Sequence, residues 1–535
     1  MTEFYQQFCR EIFRDDGTLA EFEVCCADNY NFGYDVVDVI AETDPDRIAL
    51  IWRDATLSER FLTFGEIARL SNQTANRLRA AGIKSGDRIL LMLKQRWEYW
   101  YMIVALHKLN AIAVPVSFML TGEDITYRIN RIGASAVICV SDTATVETLA
   151  QVKKTVPTLQ QIWSLDTNAA KFPVLPDEIK EYSETLERLP NQASDPAFLY
   201  FTSGTTGNPK AVLHDHRYTL AHILTAKYWQ QVEKGGVHLT IADTGWAKAS
   251  WGKIYGQWLL GSAVLAYDSD LFDTRQLVAL MNQYRVTSFC APPTVYRYMV
   301  KRGPLHFTAL HHAASAGESL PPEISRLFEE QTGLSVTEGY GQTEMTLSVA
   351  TLRGMKNRRG VMGKPTPLYD VKIVRDDGTE TDPNEPGEIV IYPRKNQAGL
   401  MIGYVGTNLT VPQSARSGVF PTGDIAERDK DGWFTYIGRA DDIIKTGGFR
   451  VGPVEIEHVL QEHPQVLDCS VVGVPDRMRG QAIQAMVVLV PDAKPSPELE
   501  NGIKAYCNER LAVYKHIRRI VFVSELPKTF NGKSK

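Results

Sequence analysis

Eleven residues from Tyr200 to Lys210 read Tyr-Phe-Thr-Ser-Gly-Thr-Thr-Gly-Asn-Pro-Lys, bordered by apolar runs at 197–201 and 211–213. Four hydroxyls (Thr202, Ser203, Thr205, Thr206), two glycines (Gly204, Gly207) and one lysine (Lys210) fall in this stretch, so a polar loop should join two strands. Glycines let successive backbone N–H groups turn toward an anion, hydroxyls add neutral donors, and an ammonium supplies compensating charge, which together make a phosphate-gripping loop. It is not the Gly-x-x-x-x-Gly-Lys-[Ser/Thr] loop, because Pro209 precedes Lys210 and Ala211 follows it. The plainer alternative is a hairpin turn with a chance lysine.

A length of 535 residues exceeds what one core supports, so several lobes are expected. Apolar content of 44% with 23% charged residues argues against wholesale disorder. A net charge of −5 gives no general nucleic-acid or membrane footprint, and any anion must be gripped locally. The seven cysteines are scattered without Cys-x-x-Cys spacing and read as reduced thiols. Glu3, Glu11 and Asp15 stand where a signal peptide needs a basic and then an apolar run. The apolar region 101–120 is broken by His107, Lys108, Asn110 and Pro115, unlike a membrane span. A cytoplasmic enzyme is expected, with no nucleic-acid partner and no stable membrane insertion; a homo-oligomer stays open.

Residues 1–30 show no clear period. Thr63 and Glu66 form a capping box, followed by Ile67, Leu70, Thr74, Leu78 and Ala81 at helical spacing until Gly82. Strands are expected at 89–93, 111–116 and 136–140, with helices at 97–109 and 125–132; this alternation implies crossovers and a parallel sheet. The segment 142–189 reads as a helix or two and a loop. Past the polar loop, a strand at 262–267, a helix at 274–284 and a strand at 288–291 repeat the alternation, with a Pro292-Pro293 turn after them. His214-Asp215-His216 lacks further ligands at a zinc-like spacing, and no metal site is expected there.

Later strings carry chemistry. Ala313-Ala314-Ser315-Ala316-Gly317-Glu318-Ser319 offers small residues that let a flat ring approach the backbone. Glu338-Gly339-Tyr340-Gly341-Gln342-Thr343-Glu344 sets an aromatic, a hydroxyl and a carboxylate at fixed offsets; the aromatic can stack on a base and the carboxylate can hold Mg²⁺. Thr422-Gly423-Asp424 presents a carboxylate whose two oxygens suit a cis-diol, and Gly438-Arg439-Ala440-Asp441-Asp442 follows. Each alone could be a turn or a solvated charge run. A smaller α+β unit is expected beyond, with helices at 454–460 and 499–510 and strands at 466–474, 484–490 and 519–523. The chain closes on Leu526-Pro527-Lys528-Thr529-Phe530-Asn531-Gly532-Lys533.

In this order the strings resemble the signature segments of the adenylate-forming enzymes, the acyl-CoA synthetases and their relatives, from about residue 30 to 533. The resemblance implies an α/β fold with a large N-terminal domain of mostly parallel sheets flanked by helices (1–440) and a small mobile α+β C-terminal domain (441–535) hinged at Asp441. It implies ATP and Mg²⁺, with coenzyme A as acceptor and a small carboxylic acid as substrate. The 202–210 loop would hold phosphates, Gly317, Glu318, Ser319, Glu338, Gly339, Tyr340, Gly341 and Gln342 would line the adenosine site, and Tyr340 would be the stacking ring. Thr343 would touch the α-phosphate, Glu344 and Thr202 would serve the metal, Asp424 and Arg439 the ribose or phosphate, and Lys533 would reach in with Lys210 during adenylation. Trp246, Trp251, Ala316 and Gly341 would wall the acyl pocket. Gly341 stands where acetate-specific members carry tryptophan, which implies an acid larger than acetate: medium-chain, branched or aromatic. Gly447, Gly448, Phe449, Arg450 and Arg479 would meet CoA. Asn31-Phe32-Gly33, Trp97-Glu98-Tyr99-Trp100 and the 243–246 run look most like the medium-chain branch. The alternatives are an adenylating enzyme that loads a carrier-protein thiol and a non-catalytic nucleotide-binding protein.

Overall fold

The computed structural model describes residues 3–202, 208–270, 272–394, 397–406, 411 and 414–526. Two large mixed sheets carry the N-terminal part. The first has seven strands in the order Gly403–Val405, Lys210–Asp215, Pro196–Thr202, Ile112–Pro115, Arg88–Met92, Ala136–Cys139, Gln161–Ser164. It is parallel from Pro196–Thr202 onward and antiparallel at the other edge. The second has nine strands, with a parallel centre running Val336–Tyr340, His312–Ala316, Ser288–Ala291, Val237–Thr240, Ala263–Asp268, Ile48–Asp54. Parallel strands buried on both faces read as continuous apolar runs, which is why the sequence marked 89–93, 111–116, 136–140, 262–267 and 288–291, whereas Ile48–Asp54, Val237–Thr240, His312–Ala316 and Val336–Tyr340 were not among the expected strands.

One core joins both sheets, taking Ile89, Ala113 and Phe198 from the first and Leu50, Val264 and Ala314 from the second. The helix Glu98–Lys108 is buried at every position, as expected of a helix apolar nearly all round. Its basic residues are engaged. Lys108 Nζ donates to Asp38 Oδ1 and Asn72 Oδ1, each at 2.6 Å, and His107 Nε2 lies 3.0 Å from Tyr255 Oη. These contacts place the charges of the 101–120 region inside the core. Among the described residues no helix is long and apolar enough to cross a membrane. The capping box forms as expected, with Thr63 Oγ1 accepting from Glu66 N and Glu66 Oε2 accepting from Thr63 N, at the start of Phe64–Ala80.

Three places depart from the sequence expectations. Within residues 3–30 the strand Cys9–Phe13 pairs with Leu19–Val24 as a hairpin, tied down by Lys227, whose ammonium binds Glu11 and Tyr5. The Pro292-Pro293 pair does not make a turn: Pro293 is the first residue of the helix Pro293–Lys301, where a missing N–H costs nothing. The 142–189 segment contains an unexpected strand, Gln161–Ser164, at the sheet edge.

A four-stranded antiparallel sheet (Asp370–Val374, Gly387–Tyr392, Phe420–Arg428, Phe434–Arg439) leads to the C-terminal unit. That unit has a five-stranded sheet, the helices Pro453–Glu462 and Pro497–Arg510, and its own core around Ile456, Leu460, Val471, Ile483 and Ile503. It rests on the larger part through Arg297, which pairs with Asp468 at 2.5 Å, and Lys301 Nζ, which donates to Val466 O at 2.7 Å.

Phe32 is fully buried, its ring 4.8 Å from Tyr255 and 6.2 Å from Trp258. Phe32→Ala should cost about 3–5 kcal/mol by leaving a cavity. A thermal melt should show a lowered Tm with far-UV circular dichroism unchanged below it; an unchanged Tm would remove Phe32 from the core.

Candidate active site

The strands that border the polar stretch pair antiparallel, with Thr202 opposite Lys210 and Phe201 opposite Ala211. Ser203, Gly204, Thr205, Thr206 and Gly207 lie outside the described residues, as does the 527–533 segment with Lys533. Thr202 is half-buried and Lys210 exposed, its ammonium 5.0 Å above the Tyr404 ring. Tyr404 belongs to the short strand Gly403–Val405, where it pairs with Val212, and its hydroxyl donates to Glu344 Oε1 at 2.8 Å. The same edge grips the 343–345 segment: Met401 N donates to Glu344 O at 2.8 Å, and His214 Nε2 lies 2.8 Å from Thr343 O. Lys210, Thr343 and Glu344 are thereby gathered at one sheet edge. The sequence had not singled out Tyr404, because a Gly-Tyr pair carries no signal of its own.

Glu344 is buried, and burial raises its carboxyl above the ordinary range while the Tyr404 hydrogen bond opposes that shift. No ion pair of Glu344 forms among the described residues. A single buried carboxylate without its own cation fits Mg²⁺ that arrives on phosphate, since this ion takes one or two carboxylates and fills its remaining positions with phosphate oxygens and water. The 214–216 trio has other engagements: Asp215 is fully buried between Arg217 (2.6 Å) and Arg416 (2.7 Å), and His216 Nε2 lies 2.9 Å from Asn110 Oδ1.

Asp424, 4% exposed, is bound from four directions. Tyr340 Oη (2.7 Å) and Gln342 Nε2 (2.6 Å) donate to Oδ2, while Tyr436 Oη (3.0 Å) and Arg439 Nη1 (3.2 Å) donate to Oδ1. Tyr340 thus reaches Asp424 through its hydroxyl, with its ring 6.4 Å from that of Tyr436.

Ala316 ends its strand in the interior, and Lys248 Nζ donates to Ala316 O at 2.5 Å. Gly317 and Glu318 are exposed, and Ser319 is half-buried. Glu338 accepts from Leu320 N at 3.0 Å, fastening this turn to the neighbouring strand that ends in Gly339 and Tyr340. Gly341 backs onto Trp251: a Cβ there would fall 2.6 Å from Trp251 Cη2 and 2.6 Å from Thr346 O. Trp251 also meets Trp229 edge-on at 6.1 Å, while half-buried Trp246 lines a recess with Val116, Ser117, Phe201 and Arg128. Trp251 thus packs directly on Gly341, whereas Trp246, at the other end of the same helix, faces the recess by Phe201.

In the C-terminal unit Gly447 and Gly448, both at positive φ, form a two-residue turn between Ile444–Thr446 and Phe449–Val451. Phe449, 51% exposed, stacks on Tyr514 at 4.5 Å, and Arg479 O accepts from Gly447 N at 2.9 Å. Arg450 and Arg479 are exposed, and Asp441 lies exposed in the turn Ala440–Asp442 that leads into this unit.

A lysine, a buried carboxylate that forms no ion pair among the described residues and, on the adjoining antiparallel sheet, a four-fold bound aspartate suit an α/β enzyme that handles a nucleotide. Comparison makes the assignment specific. The AMP-binding enzyme family matches residues 37–405, and the AMP-binding enzyme C-terminal domain matches 455–533. The chain belongs to the AMP-binding enzyme family, among its acyl-CoA synthetases. It is 37% identical over 514 residues to 4-hydroxybutyrate–CoA ligase 1 of Metallosphaera sedula, covering 94% of this chain and 89% of that one. It is 33% identical over 538 residues to the mitochondrial acyl-coenzyme A synthetase ACSM3 of Homo sapiens, covering 96% and 90%. Among solved structures it resembles the anthranilate CoA ligase AuaEII in complex with anthranoyl-AMP (TM-score 0.85, 26% identity, 95% and 96% covered). It also resembles a benzoate CoA ligase from Burkholderia xenovorans (TM-score 0.84, 26% identity, 95% and 99% covered).

Burial pushes the Glu338 carboxyl up to about 8, against backbone N–H groups of Leu320 and Gly360 that favour the anion. The folded state therefore holds a proton that the unfolded chain releases near 4.5, and this contribution to stability is full below that pH and lost as pH rises toward 8. Glu338→Gln should flatten this fall. Urea midpoints compared at pH 5.5 and pH 8.5, chosen to lie roughly on either side of the transition, check it; an equal fall in wild type and variant would refute the buried-acid assignment.

Proposed function

We propose that this acid–CoA ligase activates a carboxylic acid larger than acetate as its adenylate and passes the acyl group to the thiol of coenzyme A. The observation that carries the reading is the gathering of Lys210, Thr343 and Glu344 at the edge beside Asp424 and Arg439. A carboxylate is a poor acylating agent because its leaving group would be oxide. Its oxygen attacks the α-phosphorus of ATP, the bond to the β-phosphate oxygen breaks, and pyrophosphate leaves.

Negative charge builds on the α-phosphate oxygens and on pyrophosphate, where the 202–210 loop, Lys210, Thr343 and Lys533 supply donors and positive charge. Glu344, oriented by Tyr404, would hold Mg²⁺ together with Thr202; the ion, when bound, neutralises phosphate charge. Tyr340 and the 316–319 turn flank adenine, with Gly339, Gly341 and Gln342 beside them. Asp424 takes the ribose hydroxyls by exchanging donors it already holds in Gln342, Tyr436 and Arg439. The CoA thiol then attacks the acyl carbon and AMP leaves.

The C-terminal unit has a separate core, which supports its moving as one body about Asp441 from a position that presents Lys533 to one that presents the Gly447–Gly448 turn, Phe449, Arg450 and Arg479. Trp246, Trp251, Ala316 and Gly341 bound the acyl pocket, with the Trp251 indole filling the space beside Gly341. The relatives named above are CoA ligases, and loading of a carrier protein is not favoured. Seven free thiols support a reducing, cytoplasmic location.

A carboxylate panel scored by CoA-dependent AMP release tests the assignment, and absence of AMP release with every acid would overturn it. Lys533→Ala should slow adenylation about 10²–10³-fold, on the order of 3–4 kcal/mol, through loss of one transition-state donor. The thioester step, started from synthetic acyl-adenylate, should change far less. Equal losses in both half-reactions would contradict a lysine used in one domain arrangement only.

A further inference from the structure

Beside the Trp251 indole lies a buried cluster of polar rings. His222, within the helix Tyr218–Leu224, is fully buried, and neither Nδ1 nor Nε2 has a hydrogen-bond partner among the described residues. Tyr218, 4.7 Å from His222 ring to ring, faces the Trp251 indole and makes no hydrogen bond of ordinary geometry through its hydroxyl. His214, 4.1 Å from the Tyr218 ring, spends Nε2 on Thr343 O and leaves Nδ1 unpartnered. Among neighbouring hydroxyls Tyr255 Oη lies 3.0 Å from His107 Nε2 and Tyr200 Oη lies 2.5 Å from Ser250 Oγ, while Thr225 Oγ1, three residues after His222, is itself unpartnered among the described residues. Buried polar atoms are almost always paired, so unpaired ones concentrated in one place mark a site for a hydrogen-bonding guest.

The location gives the guest. Trp251 touches Gly341 with one edge of its indole, lies 6.3 Å from the His222 ring, and so partitions the acyl pocket from these groups. An acid held by its carboxylate at the Thr343 end extends along Gly341 to the indole, and an indole turned aside opens the way to His222 and Tyr218. We propose that His222 and Tyr218 bind a hydroxyl at the far end of the substrate, making the substrate a hydroxy acid. This rests on the ligase reading above and narrows its substrate class. Burial holds His222 down to about 3 and His214 to about 4, so both imidazoles are neutral near pH 7. A neutral imidazole offers one donor and one acceptor, which suits a hydroxyl; a second carboxylate would lack a counter-charge there. A methyl terminus would leave the same atoms unpaired.

The test compares straight-chain acids with the same acids carrying a terminal hydroxyl, using the full-length wild-type enzyme and its Tyr218→Phe and His222→Phe variants. Wild type should favour the hydroxylated acid at its preferred length. Each variant should lower the ratio of kcat/KM for hydroxylated over plain acid by about tenfold. KM for ATP should stay unchanged, a result that a merely structural role for these residues would not give. Tyr218→Phe removes a single oxygen and stands alone if the histidine variant fails to fold, as a thermal melt would reveal. A wild-type preference for plain acids at every length, or an unaltered ratio in Tyr218→Phe, overturns the proposal and assigns the unpaired atoms to buried water. Absence of AMP release with any acid instead overturns the ligase reading.

Discussion

A carboxylate removed from water is costly unless every lone pair is engaged, and Asp424 meets that demand with four donors drawn from separate segments. Tyr340 and Gln342 come from the end of a strand in the nine-stranded sheet, while Tyr436 and Arg439 come from the antiparallel sheet that precedes the C-terminal unit. One side chain thus fixes the antiparallel sheet against the loop that carries Gly341, Thr343 and Glu344. Losing any donor would leave a buried charge partly unpaired, so the geometry of this loop and the attachment of the sheet are not independent.

The other side of the loop is held by backbone. The strand Gly403–Val405 pairs with the edge of the hairpin bearing Lys210, while Met401 N and His214 hold the carbonyls of Glu344 and Thr343. Tyr404 turns this arrangement into electrostatics: its ring lies under a lysine ammonium and its hydroxyl steadies a carboxylate. Opposite charges are held near each other without neutralising one another directly, which leaves both available to the proposed phosphate and metal.

Elements governed by local rules were legible in the sequence. The Thr63/Glu66 capping box, the all-buried helix Glu98–Lys108 and strands such as Arg88–Met92, Ala136–Cys139 and Ser288–Ala291 carry their own signal, through cap chemistry or continuous apolar runs, whereas His312–Ala316 and Val336–Tyr340 lack such a run and were not expected as strands. Elements that exist only because a distant strand needs a neighbour were not: Gly403–Val405 has three residues, and the Cys9–Phe13 hairpin alternates weakly because much of it is exposed. The same division runs through the site. Lys210, Glu344, Asp424 and Arg439 announce themselves by chemical type at fixed spacing, whereas Tyr404, Tyr436 and Lys248 matter through contacts spanning many residues. Nor does a single histidine inside a helix, such as His222, show in sequence whether its nitrogens are paired.

The contact between Gly341 and Trp251 separates two tasks that a bulky residue at position 341 would combine. The glycine sits on the loop leading to Thr343 and Glu344, while the indole beside it comes from the helix Ala247–Gly252. With the acyl pocket and phosphate site placed as proposed, selection for a new acid can act on a helix outside the loop of Thr343 and Glu344, so substrate range is free to drift among descendants of this fold while the triphosphate chemistry is inherited intact.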